Sequence, residues 1–323
     1  MTPLLEVSHL TTGFSTAAGT AVAVNDVSFT VRAGETLAIV GESGSGKSVT
    51  ALSIMGLVPP PGRVLGGSVR FQDRDLLTLT ESEMQTLRGA KLSLIFQEPM
   101  TALNPVFSIG DQIAETLVVH GDCDWPAAHA RAVALLEAVR FPEAARRARD
   151  YPHQLSGGQR QRVVIAMALA CRPALVIADE PTTALDATIQ AEILDLLKEM
   201  TTGYGAGLLL ITHDLGIVAG IGDRVAVMYA GQIVEESPVS DFFESPRHPY
   251  SKGLLASLPQ GNGARRLHAI DGSVPSLVHL PPGCAFAPRC PDRVDACTAA
   301  VPALEVIGAD RRARCIRLEG VDR

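Results

Sequence analysis

The order of apolar and polar positions predicts a strand, a loop and a helix in immediate succession near the start of the chain. Val27, Phe29 and Val31 alternate with polar residues, as in a half-buried strand. The short run TLAIV at 36–40 predicts a strand buried on both faces. The glycine-rich segment GESGSGKSVT follows it directly and leads into a helical pattern.

Three later segments carry equally clear patterns. ALVIADE at 174–180 and GLLLITHDL at 207–215 predict two more buried strands, each ending in polar residues. LSGGQRQRVVIAMALA at 155–170 predicts a helix with Ser156 as its N-cap. We expect that helix to bury one apolar stripe, through Val163, Met167 and Ala170.

The first glycine-rich segment has the chemistry of a phosphate cradle. Gly41, Gly44 and Gly46 let backbone N–H groups turn inward around phosphate oxygens, and the following helix N-terminus favours negative charge. Lys47 can reach the β- and γ-phosphates, and the Ser48 hydroxyl can bind Mg²⁺. The flanking strand and helix predict a nucleoside triphosphate site.

The polar strand ends supply candidates for the hydrolytic chemistry. Asp179 is placed to hold Mg²⁺ through water, and Glu180 to orient or deprotonate the attacking water. His213 ends the third strand, where a neutral imidazole could contact the γ-phosphate. The exposed helix start at Gly157 and Gly158 indicates a second anion site, although no matching lysine accompanies it.

Composition narrows the class of protein. The 323 residues are 46% hydrophobic and 20% charged, as in a soluble protein with its own core. The start MTPLLEVSHL predicts no signal peptide, and no apolar run approaches the roughly 18 residues of a membrane span. We therefore expect a cytosolic chain with reduced thiols. A net charge of −7 without a large Lys/Arg block argues against nucleic acid as a partner.

Together these motifs resemble those of the ATP-binding cassette (ABC) ATPases. LSGGQ resembles the family signature, and the other elements follow in family order: Walker A at 41–48, a Q-loop at Gln97, Walker B at 174–179 followed by Glu180, and a D-loop ending at Asp186. The resemblance covers roughly residues 4–240. It implies an α/β P-loop fold with a RecA-like core, an antiparallel β subdomain and a helical subdomain at about 100–170.

The resemblance also implies site residues, with ATP and Mg²⁺ as cofactors. Phe14 matches the aromatic residue that stacks on adenine. Ser48, Gln97 and Asp179 are the expected Mg²⁺ ligands, and Glu180, His213 and Gln97 the expected catalytic residues. The remaining nucleotide-binding residues are expected at Gly41, Ser43, Gly44, Ser45, Gly46, Lys47, Ser48, Val49, Ser156, Gly157, Gly158, Gln159 and Asp186.

The family pattern implies partners as well. Two such domains associate head to tail, so the LSGGQ segment would complete the nucleotide site of a second, similar ATPase subunit, giving a heterodimer. A single cassette without spanning helices implies two separate membrane permease subunits, and Gln97 could report loss of the γ-phosphate to them. We expect a peripheral location on the cytoplasmic side of the membrane, with an extracytoplasmic binding protein choosing the cargo.

Residues 241–323 form an expected C-terminal extension to the nucleotide-binding domain at 1–240. SPRHPYSKGLLASLP at 245–259 and the segment at 269–291 resemble the extension of oligopeptide and dipeptide importer ATPases. This resemblance implies peptide import. Nickel or glutathione is an alternative cargo, and a soluble non-transport ATPase with a metal- or redox-sensing tail is an alternative function.

Four cysteines of the extension are candidate metal ligands. Cys284, Cys290, Cys297 and Cys315 have five, six and seventeen residues between them, inside a proline-rich stretch. Four thiolates can bind Zn²⁺ or a [4Fe–4S] cluster, and reduced structural thiols are the third alternative. Some peptide-importer ATPases carry a cluster on a similar set, so the resemblance favours iron–sulfur.

Overall fold

The computed structural model describes residues 2–121, 123–183, 185–258 and 270–318. They divide into two compact units, each built from separate stretches of the chain. Unit 1 consists of the described residues among 1–5, 30–36 and 70–211. Unit 2 consists of the described residues among 6–29, 37–69 and 212–323. Residues 259–269 and 319–323 of the predicted C-terminal extension lie outside the described part.

The described strands confirm the three predicted buried runs and add others. In chain order they are β1 (Leu5–Thr16), β2 (Gly19–Val31), β3 (Thr36–Val40), β4 (Gly62–Phe71), β5 (Arg74–Asp75), β6 (Leu92–Ile95), β7 (Leu175–Asp179), β8 (Gly207–Thr212), β9 (Arg224–Tyr229), β10 (Gln232–Pro238), β11 (Glu305–Gly308) and β12 (Arg311–Ala313).

The helices concentrate between β6 and β7, as the predicted helical subdomain requires. In chain order they are α1 (Lys47–Met55), α2 (Glu81–Leu87), α3 (Pro99–Ala102), α4 (Ile109–His120), α5 (Trp125–Ala138), α6 (Ala144–Arg147), α7 (Gly157–Leu169), α8 (Ala187–Gly203), α9 (Leu215–Ile221), α10 (Val239–Glu244) and α11 (Pro249–Ala256).

Unit 1 is organised around parallel strands. β6 pairs with β7, and β7 pairs with β8, so that Leu92 lies beside Leu175 and Leu175 beside Gly207. Every residue of β7 is buried, which explains its apolar composition. The carboxyl end of β7 brings Asp179 to the edge of the sheet, where α/β proteins place their ligands.

Helix α7 differs from its predicted single stripe. It packs against α3, α4, α5, α8 and β6, so most of its circumference is covered. A helix enclosed in this way buries residues all round, whereas Met167 of the predicted stripe is only half-buried. Its buried residues are Gln161, Arg162, Val163, Val164, Ile165, Ala166, Ala168 and Leu169.

Unit 2 contains two sheets. β2, β1 and β4 are neighbours in that order, and the other sheet has the order β11, β12, β10, β9, β3. β3 runs parallel to β9, while β9 and β10 form a hairpin whose turn residues, Ala230 and Gly231, both have positive φ. β12 pairs with β10 through Glu235 and Ala313. Strands β11 and β12 of the C-terminal extension therefore continue the sheet.

Candidate functional site

The Walker A loop is shaped by close backbone contacts. Gly41, Gly44 and Gly46 have φ values of 156°, 77° and 104°, which side-chain-bearing residues rarely adopt. A Cβ on Gly41 would lie 2.1 Å from the Met228 carbonyl oxygen, and one on Gly46 would lie 2.2 Å from the Ala23 carbonyl oxygen. Conformation therefore favours glycine at all three positions, and lack of space requires it at Gly41 and Gly46.

Helix α1 starts directly after this loop. Its N-cap is Gly46, which has no side chain that could accept from the N–H groups of the first turn. The Lys47 Nζ donates to the carbonyl oxygens of Gly41, at 2.8 Å, and Glu42, at 3.0 Å. Lys47 is buried, so its cation lies within the loop. A cation and a helix N-terminus at one turn make this loop suited to a polyphosphate.

The Walker B strand ends in two carboxylates with different surroundings. Asp179 is buried, while Glu180 is partly exposed and has a φ of 46°. That left-handed conformation is unusual for a side-chain-bearing residue and is typical of functional positions. The backbone N–H of Glu180 donates to the Ile211 carbonyl oxygen at 2.9 Å, which holds the conformation.

The structure joins two residues that the sequence suggested separately. The Gln97 Nε2 donates to Glu180 Oε2 at 3.2 Å, and the Thr183 hydroxyl donates to the same oxygen at 2.9 Å. Sequence reasoning missed Thr183, although its position three residues after Glu180 on a turn is a local signal. These two donors fix the direction of the Glu180 carboxylate.

The LSGGQ segment forms a closed turn at the start of α7. The Gln159 N–H donates to the Ser156 hydroxyl at 3.3 Å, and the Ser156 N–H donates back to Gln159 Oε1 at 3.1 Å. This capping box confirms the predicted N-cap. A Cβ on Gly158 would lie 2.7 Å from the Ile189 Cγ2, so Gly158 permits close packing against α8. Asp186 caps α8 by accepting from the Ile189 N–H.

Phe14 and His213 occupy different settings. The Phe14 ring is half-buried in β1 and covers Gly62, where a Cβ would lie 2.4 Å from the ring edge. His213 follows β8 and is exposed. The adjacent Asp214 caps α9 by accepting from the Gly216 N–H at 2.7 Å. The roles of Phe14 at adenine and His213 at the γ-phosphate stay predictions.

The four cysteines of the extension line one small cavity of about 20 Å³. Cys284, Cys290, Cys297 and Cys315 thus come together from separate segments, and His248 and Phe286 also line the cavity. Burial raises the pKa of the Cys284 thiol and raises the pKa of Cys290 to about 11. Across the described ranges, however, no group of three or more His, Cys, Asp or Glu side chains has the arrangement of a metal site. The predicted metal is therefore not confirmed.

Contacts between the extension and the Walker A loop were not foreseen. The Glu42 N–H donates to the Tyr250 hydroxyl at 3.0 Å, and Arg289 Nη1 donates to both carboxylate oxygens of Glu42 at 3.1 Å. Tyr250 belongs to the HPY segment, and Arg289 precedes Cys290. More than two hundred residues separate each from Glu42, so no local pattern could have paired them.

In the part of the chain that the structure describes, no helix has both the length and the apolarity needed to cross a bilayer.

Comparison with known families gives two matches. A family model described as ABC transporter matches residues 24–183, and one described as oligopeptide/dipeptide transporter, C-terminal region, matches residues 234–297.

Curated relatives match over nearly their whole length. The oligopeptide transport ATP-binding protein AppD of Bacillus subtilis is 51% identical, over 99% of this chain and 98% of its own. The oligopeptide transport ATP-binding protein OppD of Salmonella typhimurium is also 51% identical, over 97% of this chain and 93% of its own.

Solved structures agree with these matches. The cassette MJ0796, solved as a dimer bound to ADP and Pi, is 29% identical and covers 73% of this chain and 98% of its own, with a TM-score of 0.66. The CbiO1 protein of Clostridium perfringens is 26% identical over 76% of this chain and 92% of its own, with a TM-score of 0.65. The chain belongs to the ABC transporter family of ATP-binding proteins, in the group that carries the oligopeptide/dipeptide transporter C-terminal region.

Proposed function

We propose that this chain binds and hydrolyses ATP to energise the import of peptides across the cytoplasmic membrane. The observation that carries the proposal is the combination, in one chain, of complete nucleotide motifs with the oligopeptide/dipeptide transporter C-terminal region. Relatives that are 50–51% identical over almost the full length are oligopeptide and dipeptide transport ATP-binding proteins.

The Walker A loop is the proposed phosphate site. Lys47 would place its ammonium among the phosphate oxygens, and the uncapped first turn of α1 would add backbone N–H donors. Ser48, Gln97 and Asp179 carry oxygen atoms of the kind that Mg²⁺ prefers, and they are its proposed ligands. The other proposed contacts are Gly41, Ser43, Gly44, Ser45, Gly46 and Val49 from the loop, and Phe14 on the adenine.

Glu180 is the proposed group that orients the attacking water. Gln97 and Thr183 both donate to its Oε2, so the carboxylate is held in one direction. The restrained backbone of Glu180 has the same effect. His213 would contact the γ-phosphate. Mg²⁺, when bound, would neutralise charge that develops on the transferred group.

A second ATPase subunit is the proposed partner at the LSGGQ turn. Ser156, Gly157, Gly158, Gln159 and Asp186 would complete the partner's nucleotide site rather than this chain's own. The dimeric state of the MJ0796 cassette supports such pairing. The capping box gives the turn a fixed shape, as a surface that meets a second subunit requires.

We place the chain on the cytoplasmic face of the membrane, with two permease subunits and an extracytoplasmic binding protein. Four large apolar side chains within twelve residues of unit 1 are exposed, which supports a docked surface in this segment. They are Phe96, Met100, Val106 and Phe107. The proposed domains are residues 1–240, which include the ABC transporter match, and the extension at 241–323.

The proposal is tested with the chain reconstituted with a pair of peptide-importer permease subunits that co-purify with it. Peptides should stimulate ATP hydrolysis, and Glu180→Gln should reduce turnover by about a hundredfold or more while leaving ATP binding intact. Stimulation of ATP hydrolysis by Ni²⁺ or glutathione, and not by peptides, would identify that compound as the cargo. Hydrolysis without any response to permeases would support a non-transport ATPase.

We further propose that the cysteine cavity holds a [4Fe–4S] cluster, with Zn²⁺ as the alternative. The support for this proposal is that four soft sulfur donors line one largely apolar cavity, and thiolates are ligands of both groups. The four side chains would have to move apart to admit either group, because their arrangement in the described residues is not that of a metal site. Bound metal would cross-link the segments that carry the four thiolates.

Anaerobic purification followed by iron, sulfide and zinc analysis tests the cysteine cavity. About four irons and four sulfides per chain, lost in Cys290→Ser but kept in Cys123→Ser, would support the cluster. One zinc per chain would support the alternative. Metal-free protein with normal thermal stability would contradict both.

A further inference from the structure

Glu42, the second residue of the Walker A loop, is held by two residues of the C-terminal extension. Its backbone N–H donates to the Tyr250 hydroxyl, and its carboxylate accepts from Arg289. All three residues belong to unit 2. We propose that Tyr250 and Arg289 are positioning residues for ATP binding, so that the extension forms part of the nucleotide site. This inference rests on the proposed binding of ATP by the loop.

The action of Tyr250 passes through a single peptide group. The Glu42 N–H and the Gly41 carbonyl belong to the same planar peptide, so the direction of one fixes the direction of the other. The Gly41 carbonyl oxygen accepts from Lys47 Nζ at 2.8 Å. By holding the N–H, the Tyr250 hydroxyl therefore orients the carbonyl that positions the phosphate-binding lysine.

Tyr250 is rigid enough for this role. Its side chain is fully buried, and its ring centroid lies 4.6 Å from that of Tyr229 and 5.3 Å from that of Phe286. Burial raises the pKa of Tyr250, so the hydroxyl stays neutral at physiological pH. The aromatic cluster thus presents a fixed hydrogen-bond acceptor to the loop.

Arg289 acts mainly through charge. A carboxylate in a phosphate-binding loop repels a polyphosphate, and Glu42 is such a carboxylate, with its side chain 30% exposed. The Arg289 side chain is only 6% exposed and donates to the carbonyl oxygens of Asp271, at 2.8 Å, and Ile270, at 3.1 Å. The guanidinium is therefore fixed in the place where it neutralises Glu42.

The first test measures the affinity of the full chain for a fluorescent ATP analogue with Mg²⁺. Tyr250→Phe keeps the ring but leaves the Glu42 N–H without its acceptor, so the Kd should rise about five- to tenfold. In ATP hydrolysis the loss should appear mainly in KM rather than in kcat, because the lost hydrogen bond acts on the loop that receives the nucleotide. Thermal unfolding is recorded for each variant.

Tyr204→Phe is the matched control for the hydroxyl. The Tyr204 hydroxyl is also buried, but it makes no hydrogen bond within the described part of the chain. Its removal should leave the Kd within about twofold of wild type. An equal Kd for Tyr250→Phe and Tyr204→Phe would overturn the role of Tyr250.

The second test separates charge compensation from simple structural support. Arg289→Gln should weaken ATP binding about tenfold, and adding Glu42→Gln should restore most of it, because the uncompensated charge is then gone. Arg140→Gln, which breaks an exposed pair with Glu199, is the control and should change the Kd little.

Failure of Glu42→Gln to restore binding in the Arg289→Gln background would overturn the electrostatic role. Wild-type affinity in both Tyr250→Phe and Arg289→Gln would overturn the whole inference. Absence of nucleotide binding by the wild-type chain would overturn the proposed function as well, so the two failures are distinguishable.

Discussion

The two glycine-rich turns of this chain are held in different ways. In the Walker A loop, backbone contacts confine two of the glycines, because Cβ atoms on Gly41 and Gly46 would meet the carbonyl oxygens of Met228 and Ala23. The LSGGQ turn is fixed by side chains, through the capping box of Ser156 and Gln159. The first leaves its helix uncapped and the second does not. A turn that must bind an anion by itself keeps its helix N-terminus open.

The largest effect is expected from adding one methyl group to the Walker A loop. In Gly41→Ala the new Cβ would lie 2.1 Å from a carbonyl oxygen that belongs to the rigid strand β9, so the loop must change shape. We expect a loss of ATP affinity of about a hundredfold or more. Isothermal titration with Mg-ATP measures it.

Gly44→Ala is the control for that change. Gly44 also has a positive φ, but a Cβ there would meet no atom of the described residues within 4 Å. The variant should bear only a conformational cost of about 1–2 kcal/mol. Equal losses of ATP affinity in Gly41→Ala and Gly44→Ala would mean that the positive φ alone, and not the backbone contact, fixes the loop.

An added methyl group in the LSGGQ turn should affect stability more than ATP binding. Gly158→Ala would place a Cβ 2.7 Å from the Ile189 Cγ2, and such overpacking costs about 1–3 kcal/mol. Urea unfolding should show this loss, and Ile189→Ala in the same chain should make it smaller. Strictly additive losses would contradict direct packing between the two residues.

Removal of the cap should have a smaller effect. Ser156→Ala should lower the free energy of unfolding by about 1 kcal/mol without changing the affinity of the isolated chain for ATP. Thr80→Ala removes an equivalent capping box, shared with Glu83, from α2. Ser156→Ala and Thr80→Ala should lower the free energy of unfolding by the same amount. Only Ser156→Ala should also slow ATP hydrolysis in the assembled transporter.

The sequence predicted the Walker A loop and both Walker B carboxylates because their signals are local. A short apolar run and a glycine-rich turn specify β3, the loop and α1 without distant partners. The N-cap at Ser156 was also predictable from the sequence alone, because it depends on neighbouring residues. The burial of α7 on all sides was not, because it depends on which helices pack around it.

The contacts of Tyr250 and Arg289 with Glu42 show the other limit of sequence reasoning. They are long-range and polar, and the residues carry no periodic signal. The four cysteines were an intermediate case. Their number suggested a cluster, and the structure brings them to one cavity, but spacing alone does not define the metal.

The smallest effect is expected from the pair of His129 and Asp111, which lies in the helical region around the LSGGQ turn. The His129 Nε2 lies 2.8 Å from Asp111 Oδ1, and both side chains are about half exposed. Hydrogen bonding to Asp111 raises the pKa of His129, and hydrogen bonding to His129 lowers the pKa of Asp111. The raised pKa means that protonated His129 contributes to the free energy of unfolding. This contribution is complete below the unfolded pKa of 6.5 and is lost as the pH rises through the higher pKa of the folded protein.

An NMR titration of the His129 ring should therefore give a pKa above 6.5, and Asp111→Asn should bring it back towards that value. The contribution of Asp111 to the free energy of unfolding is lost at low pH instead, as the pH falls through the lowered pKa of its carboxyl group. Neither His129 nor Asp111 takes part in the close contacts of Gly41 with Met228 and of Gly46 with Ala23, so Asp111→Asn should leave ATP binding at the Walker A loop unchanged. A change in ATP affinity in Asp111→Asn would show that the side-chain-held region influences the backbone-held one.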